Sequence, residues 1–215
     1  QAGIDMDMVG EGFLTTLASS LKEGKVTIQQ IDHACRLILE AKYILGLFDN
    51  PYKYCNESRA KTDIYTAAHR KIARSIADES FVLLKNQDDL LHLKKGGTIA
   101  VIGPLADNKR NMPGTWSVAA NFDNAISVLT GIKEVAGTEA NVLYAKGSFL
   151  DDDSLFEQRA GMFGKDFSRD GKTKQQLMDE ALAVAARADV IIAAVGESSE
   201  MSGESSSRTN IDIPQ

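Results

Sequence analysis

Long apolar runs are missing from this sequence. Even the longest, such as residues 190–195, have only the length of a strand, far short of the roughly 18 residues that a membrane-spanning helix requires. A membrane segment is therefore excluded. Cysteine and histidine are scarce. Cys35 and Cys55 form no CxxC pair, and His33, His69 and His92 are scattered without a ligand-like spacing, so neither a metal nor a redox cofactor is expected. Cys35 falls on the apolar side of a predicted helix, where a thiol acts as a small hydrophobe, and a bond to Cys55 is not expected. Basic residues are in the minority, 24 Lys and Arg against 30 Asp and Glu, for a net charge of -6 and a pI near 5.1. Nucleic acid and anionic membranes, which need clustered cations, are excluded as partners, and a neutral ligand fits better. No GxGxxG follows any predicted strand, which removes the usual phosphate cradle. The first residues have neither a basic start nor a long apolar core, so they are no signal peptide. The numbering reads as starting inside a longer protein.

What is present is a globular composition: 215 residues, 43% hydrophobic and 25% charged, enough to bury a core. Phe13, Leu14, Leu17 and Leu21 recur at helical spacing. After a break at Gly24, Thr27 and Gln30 make a capping box for a second helix. Its apolar positions Ile28, Ile31, Cys35, Ile38 and Leu45 share a face, and Gly46 ends it. Two helices enclose no core of their own, so residues 1–50 read as the tail of something larger. Residues 51–66 are polar and aperiodic, a linker composition. Residues 67–78 are helical and run into the apolar Phe81-Val82-Leu83-Leu84.

After Gly96-Gly97 the pattern becomes strand, helix, strand, helix, strand: 99–103, 127–135, 142–145, a helix through Arg187 opened by the capping box of Thr173 and Gln176, and 189–196. Such alternation predicts a mostly parallel sheet covered by helices, an α/β sandwich over 67–215. Residues 148–172, rich in Asp, Gly and charge, read as an insertion loop.

Ligands of open parallel sheets bind beyond the carboxyl ends of the strands. Three loops qualify: the one after the first strand, which runs to Pro113-Gly114-Thr115-Trp116; Lys146-Gly147-Ser148 after the second; and the acidic, serine-rich 196–208 after the third. Trp116, the single tryptophan, is placed to stack on a pyranose ring, although an indole here could equally cover a core edge. Glu204 could protonate a leaving group if its setting raised its pKa; Glu197 and Glu200 are rivals, and each could be a solvated loop carboxylate.

Taken together, the blocks Ala2-Gly3-Ile4-Asp5-Met6-Asp7-Met8, Leu45-Gly46-Leu47-Phe48-Asp49-Asn50-Pro51-Tyr52, Glu79-Ser80-Phe81-Val82-Leu83-Leu84-Lys85-Asn86, Ile99-Ala100-Val101-Ile102-Gly103-Pro104-Leu105-Ala106-Asp107 and Ser206-Ser207-Arg208-Thr209-Asn210-Ile211-Asp212-Ile213-Pro214 resemble glycoside hydrolase family 3, in particular its periplasmic bacterial β-glucosidases. The resemblance covers nearly the whole chain. It implies a three-layer α/β/α sandwich, truncated at its C-terminus, preceded by the end of a (β/α)8-type barrel, in an enzyme that removes terminal β-linked glucose or related sugars with retention. It implies no cofactor, a β-linked oligosaccharide or glucoside as partner, and a periplasmic or secreted location.

The family's nucleophile is the Asp of a Ser-Asp-Trp motif, which this sequence does not contain. Asp5 and Asp7 belong to a later block and do not replace it. Ser202-Gly203-Glu204 matches the place of the acid/base, with Arg208 following as a substrate-binding residue, and Trp116 matches a tryptophan that walls the sugar site. Loop length varies there, so Glu200 stays a second candidate. With one carboxylate of the pair absent, the chain alone is expected to be inactive, and an incomplete sheet is expected to favour self-association. Two other classes are weighed against this. A flavodoxin-like phosphate-binding module needs the missing anion cradle, and a noncatalytic interaction domain needs neither Trp116 nor Glu204.

Overall fold

The computed structural model describes residues 3–117, 119–151, 169–201, 203, 209, 211 and 212. The chain divides into two compact units, Gln1–Lys85 and Asn86–Gln215. That division falls one helix later than the composition change near residue 66, because the helix that follows the polar stretch belongs to the first unit.

The first unit is helical. Its elements are α1 (Gly12–Lys22), α2 (Ile28–Ile44), the single turn α3 (Arg59–Thr62) and α4 (Ala67–Ser80). The Thr27 hydroxyl accepts from the Gln30 N–H at 3.3 Å while the Gln30 carboxamide accepts from the Thr27 N–H at 2.8 Å, the reciprocal pair expected from the sequence. At the other end of α2 the Gly46 N–H donates to the Tyr43 carbonyl and the Leu47 N–H to that of Lys42, which closes the helix in a Schellman motif.

Glu11 precedes α1 without a side-chain cap. Asp7 takes over that role: one carboxylate oxygen accepts from the Gly12 and Phe13 N–H groups at 2.6 and 3.3 Å, and the other from Gly10 at 3.2 Å. A negative charge at the positive end of the helix is favourable, so this carboxylate has a local structural task.

No described residue of this unit is buried. Cys35 and Cys55 are free and exposed, which corrects the expectation that Cys35 packs as a small hydrophobe: the apolar side of α2 has no core of its own unit to enter. Phe81, Val82, Leu83 and Leu84, after α4, are exposed as well.

The second unit is built on β1 (Thr98–Ile102), β2 (Asn141–Ala145) and β3 (Val190–Ala193), with α5 (Val128–Ala136) and α6 (Lys174–Ala185) in the crossovers. The three strands are parallel in the order β2-β1-β3, as the alternation of strands and helices predicts. Register runs from Thr98 opposite Asn141 to Ile102 opposite Ala145, and from Ile99 opposite Val190 to Ile102 opposite Ala193.

Because side chains alternate across a strand, one face carries Ile99, Val101, Val142, Tyr144 and Ile192, and these pack with Leu129 and Ile132 of α5. The other face carries Ala100 and Ile102, beside Ala181 of α6. The central strand β1 is therefore covered on both faces, and Ala100 and Val101 are fully buried. Leu177 anchors α6 at 1% exposure. Ser127 and Thr173 cap the two helices by accepting from Thr130 and Gln176 N–H groups, and α6 carries the capping box read from Thr173 and Gln176.

Candidate functional site

The carboxyl end of β1 turns at Gly103, whose φ is +147. A Cβ there would run into the carbonyl of Ala194, so only glycine lets the ends of β1 and β3 approach so closely. The backbone ladder continues past the strands, with Ala194 donating to Ile102 at 2.7 Å and Gly103 to Ala145 at 3.2 Å. The three loops singled out from the sequence thus leave one edge of one sheet.

The loop after β1 is tied down at its base. Ala106 is fully buried, its carbonyl accepts from the Leu129 N–H at 2.8 Å, and Asp107 accepts from the Ser127 hydroxyl at 2.8 Å. Beyond that base the chain passes through Asn108, Asn111 and Gly114 to Thr115 and Trp116. The Trp116 side chain is not part of the core: the residue is 72% exposed. This favours an indole available for contact over one covering a core edge.

The loop after β3 meets this one at Ser199. The Ser199 N–H and hydroxyl both donate to Asn111 Oδ1 at 3.0 Å, and the Thr115 hydroxyl donates to the Ser199 carbonyl. A backbone N–H can only donate, so the amide of Asn111 must present its oxygen to Ser199. Its nitrogen is then buried without a partner among the described residues, as is the hydroxyl of Ser198, a residue only 2% exposed. Glu200 follows Ser199, with a carboxylate oxygen 3.4 Å from the Ser199 hydroxyl.

After β2, Lys146 pairs with Asp170 at 3.5 Å. Arg169 donates to the Asp151 carbonyl at 3.1 Å and lies 4.4 Å from the centre of the Phe149 ring. Asp107 and Asp170 also act on Tyr144: burial first, then these two negative charges, raise its hydroxyl pKa above the ordinary 10.0. No group of three or more His, Cys, Asp or Glu among the described residues could hold a metal ion.

Of the residues singled out from the sequence, Trp116 and Glu200 are on loops that the Asn111, Thr115 and Ser199 contacts join. Glu204 and Arg208 lie outside the described residues, as does most of the expected insertion at 148–172. Asn111, Thr115 and Ser199 were missed by sequence reasoning, since Asn108-Lys109-Arg110-Asn111 matches no catalytic motif. Their only sequence signal is their place on loops following strands.

The match to the family model described as the Glycosyl hydrolase family 3 C-terminal domain spans residues 81–215. The chain is 43% identical over its full length to the periplasmic beta-glucosidase of Salmonella typhimurium, of which it covers 28%. It is 32% identical over 99% of its length to a beta-xylosidase of Formosa agariphila, again covering 28% of that protein. Among solved structures it resembles the beta-glucosidase from Listeria innocua in complex with glucose, with a TM-score of 0.76 and 29% identity over 99% of this chain and 26% of that one. The same Listeria protein has also been solved, as a mutant, with laminaribiose. The chain thus spans little more than a quarter of these relatives. With the parallel sheet, the loops at its carboxyl edge and residues 81–215 all in agreement, this chain belongs to glycosyl hydrolase family 3 and carries that family's C-terminal domain.

Proposed function

We propose that this chain is the acid/base-bearing part of a retaining, exo-acting β-glucosidase that removes terminal β-linked glucose or related sugars. In this reading Glu204 is the general acid/base, Trp116 is a wall of the sugar site and Arg208 contributes to substrate binding. The nucleophile is an Asp on a preceding barrel domain, of which residues 1–50 are the end, and the sandwich is the sheet unit, which starts at Asn86 rather than directly after the 51–66 linker. The observation that carries it is the junction at Ser199, which holds the loop bearing Trp116 against the loop that continues into Ser202-Gly203-Glu204. The beta-glucosidase relatives, one solved with glucose, support a glucoside as substrate. The name of the Salmonella relative supports a periplasmic location.

The chemistry explains why the chain alone is inactive. Retention needs one carboxylate to attack the anomeric carbon while a second, roughly 5 to 5.5 Å away, protonates the departing oxygen and later activates water. Asp7 cannot stand in as nucleophile while it caps α1.

The test is hydrolysis of an aryl β-glucoside by the chain alone and mixed with the barrel segment, with Glu204→Ala as control. Activity that appears only on mixing and disappears in Glu204→Ala is expected. Turnover by the chain alone would overturn the reading. Self-association belongs to the same proposal, since Ile191 on β3 is 53% exposed and no described strand pairs with the outer side of β3. A monomer at all concentrations in sedimentation velocity would refute it.

A further inference from the structure

Two contacts cross the loop that carries Trp116, one inside the other. At its base the Ser127 hydroxyl donates to Asp107 across 20 residues. Further out, the Arg110 guanidinium lies 5.5 Å from the centre of the Phe122 ring, within reach of a cation–π contact. Trp116 falls midway between these two residues, six after one and six before the other. Each partner is fixed on its own arm of the loop. Arg110 sits in a turn closed by Asn108 Oδ1 on the Asn111 N–H at 3.1 Å. Phe122 opens the 3-10 turn Phe122–Asn124, where Asn121 Oδ1 accepts from the Asp123 N–H at 3.0 Å. Phe122 is partly buried whereas Arg110 and Trp116 are exposed, so the ring is the anchored half of the pair and the guanidinium closes over it.

We propose that Arg110 and Phe122 are positioning residues for Trp116: their contact braces the two arms of the loop and holds the indole in one presentation to the sugar. The inference rests on the role proposed above for Trp116 as a wall of the sugar site. An indole this exposed has little packing of its own to fix it, so its orientation is set by the backbone that carries it. The brace shortens the closed loop around Trp116 from the 20 residues of the base to 12, and a shorter loop has fewer conformations to lose. Ser117 adds to this by donating to the Gly114 carbonyl at 2.7 Å, a turn that spans the tryptophan. Neither Arg110 nor Phe122 needs to touch the sugar to have that effect.

Because Trp116 is the one tryptophan of the chain, its fluorescence reports on the brace directly. The experiment is time-resolved fluorescence anisotropy of the 215-residue chain, joined to KM and kcat for an aryl β-glucoside in the two-domain enzyme. Arg110→Gln removes the cation and Arg110→Lys keeps it; Phe122→Leu removes the ring and Phe122→Tyr keeps it. The double variant with Arg110→Gln and Phe122→Leu completes a cycle that isolates their interaction. Trp116→Ala is the reference in the kinetic arm.

Arg110→Gln and Phe122→Leu should each raise the fast, loop-scale component of the depolarisation by about twofold to fivefold, the factor that corresponds to an exposed cation–π contact. The double variant should go no further than either single one, and Arg110→Lys and Phe122→Tyr should stay close to the parent chain. In the enzyme KM should rise by a similar factor with kcat little changed, the signature of lost ground-state binding. Unchanged anisotropy in both single variants would overturn the inference. So would additive effects in the double variant, or losses in the two conservative variants equal to the others. Anisotropy that loosens while KM stays put, with Trp116→Ala raising KM, would overturn it too, because the brace would then not set the indole for the sugar. If Trp116→Ala itself leaves KM unchanged, the sugar-wall role proposed for Trp116 falls and takes the inference with it.

Discussion

The Ser127 hydroxyl lies 2.8 Å from a carboxylate oxygen of Asp107, a hydrogen bond that spans 20 residues. The same hydroxyl accepts from the Thr130 N–H at 3.1 Å, so one buried side chain both caps α5 and holds the loop that leaves β1. The position of the Trp116 loop is in this way set by the start of a helix, reinforced by the Leu129 N–H on the Ala106 carbonyl.

Replacing Ser127 by Ala should therefore lower stability by about 1–2 kcal/mol, the range of a lost cap with a buried partner left behind. Urea unfolding of the 215-residue chain followed by circular dichroism measures it. A change below about 0.3 kcal/mol would mean that water replaces the hydroxyl without loss.

Gly103→Ala should be worse. The added methyl meets the backbone of Ala194 rather than a flexible side chain, so β1 and β3 must separate at the carboxyl edge, and the φ of +147 adds strain on top. A loss of about 2 kcal/mol or more is expected. Gly114→Ala is the comparison, because a Cβ at Gly114 meets nothing within 4 Å and only the strain of its left-handed φ applies, about 1 kcal/mol. Equal effects of the two would show that the strands are not in close approach.

The elements of the sheet unit were legible in the sequence for a physical reason: β1 is buried on both faces, so Ile99-Ala100-Val101-Ile102 is an unbroken apolar run, and the boxes at Thr27 and Thr173 announce their helices through local hydrogen bonds. The first unit was legible only as helices. Nothing local says that Cys35 would find no core to enter. In the site, Trp116 stood out by its chemistry, whereas Asn111 and Thr115 act through hydrogen bonds to Ser199, 88 and 84 residues away in sequence respectively. A long-range contact of that kind leaves no spacing for a single sequence to display.

Tyr144 supplies a pH dependence. Burial and the charges of Asp107 and Asp170 make its proton harder to remove in the folded chain than the ordinary 10.0. The unfolded chain therefore ionises first. Stability is undiminished below about pH 10 and falls as pH rises toward and through the folded value. Tyr144→Phe should flatten that alkaline decline in unfolding measured across pH 8 to 11, and near pH 8 the two proteins should differ only by the lost hydroxyl. An unchanged slope above pH 10 would assign the decline to other groups.

Trp116 offers the most direct reading of the site, because it is the one tryptophan of the chain and is 72% exposed. Iodide should quench its fluorescence nearly as well as that of free indole when the chain is alone. In the two-domain enzyme, Trp116→Phe keeps a flat apolar face for the sugar and Trp116→Ala does not. Stacking of this kind is worth about 0.5–1.5 kcal/mol beyond buried area, so kcat/KM should fall roughly tenfold for the alanine variant and clearly less for phenylalanine. Equal losses would point away from stacking and toward an indole that only fills space behind the loop.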